Sequence, residues 1–139
     1  MPEVEIKLKR LKNCQFEAQN SDGNIAMIDG PPSLGGLGEG VRPMEMVLMG
    51  LAGCSSMDLL LILGKQRQEP EGIEVTVKGT RVDAVPSVYS DIHMHFEVSG
   101  KVSDKKLQKA VDLSVEKYCS VVKMLEPTVK ITHSAVVVD

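Results

Sequence analysis

The sequence predicts an α+β fold with a mainly antiparallel sheet and a long buried central helix, in the order βββ-α-ββ-α-β. Apolar residues alternate with polar ones in several short segments, as they do in strands with one face in water. These segments occur in runs instead of alternating strictly with helices, which is typical of α+β proteins. The length of 139 residues predicts a single domain, 1–139.

The N-terminal third predicts three strands and a loop. Val4, Ile6 and Leu8 alternate with charged residues, which predicts a half-buried first strand. Two short strands are expected at 16–18 and 25–28. The following segment, 29–40, contains five glycines and two prolines and is therefore predicted to be a loop.

The central helix is predicted from Pro43 through Leu63, and a stop containing Gly64 follows it. Proline fits the first turn of a helix, where its missing N–H is not needed. The segment is apolar or small on almost every side, which indicates a buried helix. Its uninterrupted apolar part, 46–54, is too short to span a bilayer, so a core helix is expected.

The second half predicts two antiparallel strands, an amphipathic helix and a last strand. The strands are expected around 73–77 and 92–98. Ser103 or Asp104 can cap the helix, whose apolar residues recur at three- and four-residue steps up to the stop at Pro127. The last strand is expected over 129–138.

Composition excludes several function classes. The net charge is −3 and tryptophan is absent, so nothing favours nucleic acid or an anionic membrane as a partner. The charged, alternating N-terminus does not resemble a signal peptide, and a cytoplasmic location is expected. Three cysteines without a C-x-x-C pair disfavour a secreted disulfide framework and a zinc ribbon.

Cys54 and Cys119 are the main chemical candidates, each on a predicted core helix. Either thiol can be simply a small buried residue. If the two helices pack together, one thiolate can attack a peroxide and the other can resolve the sulfenic acid as a disulfide. That mechanism requires a lowered thiol pKa and sulfurs within bonding range. Cys14, in a predicted turn or strand edge, is expected to be incidental.

Other chemistries have weaker support. His93 and His95 share one strand face, and with His133 they make three imidazoles. That face is expected to be the solvent side, so surface histidines are favoured over a metal site. A hydrolase with Cys54 as nucleophile would need an oriented base, for which no local motif exists.

Two blocks of sequence together resemble the OsmC/Ohr family of osmotically inducible and organic hydroperoxide resistance proteins. The first is the helix from Pro43 through Cys54 and Asp58 to Arg67. The second surrounds Cys119, in the run Glu-Lys-Tyr-Cys-Ser-Val. Within the family the chain is most similar to the OsmC-like branch with SPMELLL-type helices, with Arg42 in place of the usual serine.

The resemblance implies an intertwined homodimer with two sites at the subunit interface. It implies that Cys54 is peroxidatic and Cys119 resolving, that organic hydroperoxides are the substrates, and that a lipoyl-type or other dithiol restores the thiols. No metal or organic cofactor is expected.

The chain departs from the hydroperoxide branch at the residues that activate the thiol. Ten residues before Cys54, where that branch has glutamate, stands Met44, and Glu45 is one position away. Arg10 and Arg42 are the candidates for the branch's early arginine. A redox-sensing or apolar-ligand-binding module with weak or no peroxidase activity is therefore the alternative function.

Overall fold

The computed structural model describes all residues, 1–139, which form two compact units, Met1–Val47 and Leu48–Asp139. Each unit contains one three-stranded sheet, and a long helix begins in the first unit and continues into the second. The predicted α+β class and the order of strands and helices are confirmed. That residues 1–139 form a single domain stays a prediction.

The first unit contains an antiparallel sheet of β1 (Lys7–Lys12), β2 (Gln15–Gln19) and β3 (Ile25–Ile28). The prediction of a half-buried first strand was wrong, because all six residues of β1 are exposed and Val4 lies outside it. Alternation shows which side chains share a face of a strand, but it does not show whether another element covers that face.

The predicted loop after β3 is organised by the buried carboxylate of Asp29. Its oxygens accept hydrogen bonds from the backbone N–H groups of Gly30, Leu37 and Glu39 at 2.8, 3.1 and 3.2 Å. Burial opposes ionisation of this group, but the three N–H donors outweigh it and hold the pKa of Asp29 below its usual value. One side chain thus fixes a glycine- and proline-rich segment that has only a short 3₁₀ turn of its own.

Helix α1 (Pro43–Lys65) begins at the predicted proline and contains 23 residues. At its start, the Glu45 carboxylate accepts a hydrogen bond from the Arg42 N–H at 2.8 Å, the glutamate half of a capping box. By length and its mean hydropathy of 2.0 the helix could cross a membrane. Leu51, Ser55 and Leu59 are nevertheless completely buried within the chain, as expected of a core helix.

The expectation that α1 is buried on almost every side was wrong for the single chain. Apolar side chains at three- and four-residue steps remain about half to two-thirds exposed on one face: Met49, Met57, Leu60 and Leu61. The apolar composition of α1 predicted a buried helix, but only four of its 23 residues are buried within the single chain.

The second unit contains a mixed sheet of β4 (Glu69–Arg81), β5 (Tyr89–Lys101) and β6 (Lys130–Val137). β4 and β5 are antiparallel as predicted, and β6 runs parallel to β5. Every second residue of β5 contributes a buried side chain to the core, namely Ile92, Met94, Phe96 and Val98.

The predicted second helix is divided into three parts: α2 (Asp104–Leu113), a π-helical turn (Ser114–Tyr118) and α3 (Ser120–Leu125). Ser103 caps α2 by accepting a hydrogen bond from the Lys106 N–H at 3.3 Å, as predicted. Cys119 lies at the break between the π turn and α3, with extended backbone dihedrals of −68° and 113°. The expectation that it lies within a continuous helix was wrong, and the break determines where its thiol is placed.

Candidate functional site

Cys54 and Cys119, predicted from sequence as a pair, lie together in the second unit. Their Sγ atoms are within 4.8 Å of one another. Cys54 is held in the middle of α1, and the Cys119 N–H donates to the Ser114 carbonyl across the π turn at 2.8 Å. Both sulfurs therefore project from hydrogen-bonded backbone, and they must approach by up to about 2.7 Å to reach the S–S bond length of about 2.05 Å.

The two thiols differ in environment. Cys119 is completely buried, whereas Cys54 is partly exposed. Burial raises the pKa of the Cys119 thiol, and the neighbouring Cys54 adds to the rise. A hydrogen bond from Ser55 Oγ to Cys119 Sγ, 3.1 Å long, acts in the opposite direction but does not cancel the effect. Cys119 is therefore favoured as the neutral thiol.

Ser55 connects the two cysteine-bearing segments. Its hydroxyl contacts Cys119, and its carbonyl oxygen accepts a hydrogen bond from the Ser114 hydroxyl at 2.8 Å. Both serines are completely buried. Since buried polar groups need partners, these bonds fix the spacing between α1 and the π turn.

Asp58 is a further member of the site, which the sequence marks only as part of the first family-like block, with no chemical role assigned to it. It lies one helical turn after Cys54, and a carboxylate oxygen is within 4.8 Å of both sulfurs. Its Oδ2 atom is buried and has no hydrogen-bond partner. The four-residue step from Cys54 was the available sequence signal.

A cavity of about 380 Å³ shares Asp58 with the cysteine cluster. Its walls combine apolar side chains with two lysines and a glutamine whose Oε1 atom is buried without a partner. The lining residues are Asp58, Leu61, Ile62, Lys65, Gln66, Lys109, Leu113 and Tyr118. Neither cysteine lines the cavity, which can accommodate a small, largely apolar molecule next to Asp58.

The predicted activating residues belong to the first unit, where Arg10 and Glu45 have local partners. Arg10 Nε donates to the Asn13 carbonyl at 2.7 Å, and Glu45 caps the Arg42 N–H. Met44, at the position of the family's glutamate, lies in the first turn of α1. The predicted role of Arg10, Arg42 and Glu45 in activating Cys54 stays a prediction.

The three histidines do not form one cluster. His93 and His95 are hydrogen-bonded through their Nδ1 atoms to Thr132 and Ser134 of β6, both at 2.7 Å. His133 is in register with Met94 and therefore lies on the opposite face of the sheet, 2.8 Å from Asp112 of α2. The exposed His93 and half-buried His95 lie on the face that was expected to be the solvent side, whereas His133 lies on the face covered by α2.

Cys14 lies apart in the sequence and in function. It occupies the turn between β1 and β2, as predicted, with its Sγ 3.6 Å from the Asp29 carboxylate. It packs against Gly30, where an added Cβ would come within 2.7 Å of the sulfur. These contacts assign it to the packing of the loop.

Comparison with known proteins decides the family. The family model described as OsmC-like protein matches residues 36–134. The chain belongs to the OsmC-like family. It is 38% identical over 136 residues to Protein YhfA of Escherichia coli K12, covering 97% of this chain and 98% of that one. The residues matched by the family model include both Cys54 and Cys119.

Solved structures show the same OsmC fold. A hypothetical protein from Aquifex aeolicus VF5 is 33% identical and superposes with a TM-score of 0.84 over 100% of both chains. The organic hydroperoxide resistance protein OhrB of Bacillus subtilis is 19% identical, with a TM-score of 0.66, covering 96% of this chain and 98% of that one. At this lower identity the OsmC-like chain shares the fold, and its activity has to be argued from its own residues.

Proposed function

We propose that the protein is a cytoplasmic, homodimeric thiol peroxidase that reduces organic hydroperoxides. Cys54 is the peroxidatic residue and Cys119 the resolving residue. One observation carries the proposal: two free thiols, 65 positions apart in sequence, lie with their sulfurs within 4.8 Å. In a fold shared with hydroperoxide resistance proteins, that pairing favours redox chemistry over two unrelated packing residues.

The reaction balances with the two thiols and one external reductant. The Cys54 thiolate attacks the distal peroxide oxygen, the O–O bond breaks, and the alkoxide leaves and takes a proton, so that Cys54 becomes a sulfenic acid and the substrate an alcohol. The Cys119 sulfur then attacks Cys54, forming a disulfide and releasing water. A dithiol of the lipoyl type returns both cysteines to thiols and is itself oxidised.

The assignment of roles follows from burial. Cys54 is partly exposed and can meet a peroxide, whereas Cys119 is completely buried and its pKa is raised. A neutral, enclosed thiol is a poor first nucleophile. It is well placed to react with a sulfenic acid formed next to it. We retain Arg10 and Arg42, with Glu45 in support, as the proposed activators of Cys54.

The cavity beside Asp58 is the proposed binding place for the organic part of the hydroperoxide. Leu61, Ile62 and Leu113 provide apolar walls, which favour an alkyl or aryl group over hydrogen peroxide. The cavity shares Asp58 with the cysteine cluster, and an Asp58 carboxylate oxygen is within 4.8 Å of both sulfurs.

The exposed face of α1 supports the homodimer. Met57 and Leu61 are more than 60% exposed, and Met49 and Leu60 are about half exposed on the same face. A contiguous apolar stripe of this kind marks an interaction surface in a protein that is not embedded in lipid. A second copy of the chain would bury it with the same stripe.

A second function is supported by the same cavity. Glu45 is engaged as a helix cap, and the glutamate of the hydroperoxide branch is replaced by Met44. A poorly activated thiol beside an apolar cavity would suit a redox-sensing or apolar-ligand-binding module. This alternative predicts ligand affinity that survives the loss of both cysteines.

Turnover of cumene hydroperoxide with a dithiol reductant tests the proposal. The Cys54→Ser variant should lose turnover, while Cys14→Ser, which removes the thiol held in the β1–β2 turn, should keep it. Unchanged turnover in Cys54→Ser would reject the proposed function.

A further inference from the structure

We propose that the reduced cysteine pair, together with Asp58, forms a binding site for a thiophilic divalent cation such as Zn²⁺ or Cd²⁺. The Sγ atoms of Cys54 and Cys119 and a carboxylate oxygen of Asp58 all lie within 4.8 Å of one another. The three histidines, which the sequence disfavours as a metal site, do not form one cluster, because His133 lies on the opposite face of the sheet from His93 and His95. The three-ligand cluster arises from one turn of α1 and the break before α3.

The unpartnered carboxylate is the second observation that points to a cation. Asp58 Oδ2 is buried and accepts no hydrogen bond. A buried acceptor without a partner is costly, and an ionised one more so, unless a proton or a cation neutralises it. A divalent ion among these three side chains would pair with the carboxylate and offset two of the three negative charges of the ionised ligands.

The ligand types select the ion. Two thiolates and one carboxylate suit Zn²⁺ or Cd²⁺, whereas Mg²⁺ and Ca²⁺ prefer sites built from oxygen alone. With Zn–S bonds of about 2.3 Å, tetrahedral coordination places two sulfurs roughly 3.8 Å apart. The ligand atoms must therefore approach by about 1 Å at most, which side-chain rotation can supply.

The surrounding structure orients the ligands. Cys54 and Asp58 are separated by one helical turn, so their side chains share one face of α1. The Ser55 hydroxyl donates to Cys119 Sγ at 3.1 Å and leaves that sulfur able to bind a metal. Hydrogen bonds of this kind tune metal affinity from outside the ligand set.

Metal binding would release thiol protons and would prevent oxidation of the cysteine pair. The cysteines bind a metal as thiolates, so any thiol proton still present is released to solvent as the ion binds, and three protein ligands leave a fourth position for water. An ion held by both sulfurs blocks attack on a peroxide, and a disulfide between the same sulfurs removes two of the ligands. Metal occupancy and oxidation of the pair are therefore mutually exclusive.

The test is a titration of the reduced, full-length protein with Cd²⁺, followed by the ultraviolet thiolate-to-cadmium charge-transfer band. We expect one ion per chain, and displacement of Cd²⁺ by Zn²⁺ but not by Mg²⁺. Protein oxidised to the disulfide should show no band, and this control requires no substitution. Cys14→Ser should bind like the wild type.

Variants assign the ligands. Cys54→Ser and Cys119→Ser should each abolish the band, and Asp58→Asn should weaken binding about tenfold or more. Circular dichroism of each variant verifies that it is folded. Binding that survives oxidation, or an affinity unchanged in Asp58→Asn, would overturn the proposal. Because no peroxide is used, the outcome is independent of whether the protein is a peroxidase.

Discussion

Ser55 donates a hydrogen bond to the sulfur of Cys119 at 3.1 Å, and both residues are completely buried. The bond joins α1 to the break between the π turn and α3. It also lowers the pKa of the Cys119 thiol, which burial raises. The same contact therefore contributes to the packing of the second unit and to the chemistry of its cysteine pair.

Ser55→Ala should lengthen the lifetime of oxidised Cys54. Without the hydroxyl donor the Cys119 thiolate is less stabilised, so disulfide formation slows and sulfenic acid accumulates. Loss of the buried bond should also cost about 1 kcal/mol in the free energy of unfolding. Trapping of sulfenic acid with dimedone after a peroxide pulse measures the first effect. Ser56→Ala, at the adjacent and partly exposed position, is the matched control.

Stability should fall as the pH rises above the ordinary thiol pKa of about 8.5. Burial raises the pKa of Cys119, so the folded chain retains a proton that the unfolded chain has lost. The contribution of Cys119 to stability is complete below the pKa of its thiol in the unfolded chain. It is lost as the pH rises through the higher pKa of the folded chain. Denaturant unfolding of the reduced protein between pH 7 and 10 measures the slope. Cys119→Ala should flatten it, and an identical slope in that variant would contradict the assignment.

Acid should loosen the loop that Asp29 organises. Its pKa is held below the usual value by backbone donors, so its contribution is present above about pH 3.9 and is lost as the pH falls through the folded pKa. Between pH 5 and 3 the wild type should lose more thermal stability than Asp29→Asn. At neutral pH the variant should exchange the amides of Leu37 and Glu39 faster, since both donate to the carboxylate.

Charges on the exposed face of α1 should dissociate the proposed dimer. Met57→Glu or Leu60→Glu would place a carboxylate in the apolar stripe, where a second copy would have to desolvate it. Sedimentation analysis should show a shift from dimer to monomer. Met124→Glu is the control, because Met124 is 79% exposed on α3, away from the stripe in sequence. A wild-type protein that sediments as a monomer would contradict the assembly.

The sequence predicted the elements better than it predicted their environment. The proline at the start of α1, the cap at Ser103 and the alternation in β5 are local signals, and each was correct. The exposure of β1 and of one face of α1 depends on what covers an apolar face, which a single chain does not specify. The division of the second helix was also missed, because no glycine or proline marks the π turn at 114–118.

The candidate site was also predictable only in part, because the sequence shows local patterns and not which side chains meet in space. Their place on two predicted core helices selected Cys54 and Cys119, but only the break before α3 determines how near the two sulfurs lie. Asp58 follows Cys54 by one helical turn and was given no chemical role, because periodicity reveals a shared helix face and not a missing hydrogen-bond partner. The buried, unpartnered oxygen became visible only in three dimensions.

The most direct test of the two-cysteine account is mass spectrometry of the reduced protein after one equivalent of cumene hydroperoxide, with thiols blocked before digestion. The account predicts a single disulfide between Cys54 and Cys119, a sulfenic acid on Cys54 in the Cys119→Ser variant, and Cys14 left as a thiol. Oxidation that begins at Cys119 or Cys14, or a Cys54 that remains a thiol while peroxide is consumed, would contradict it.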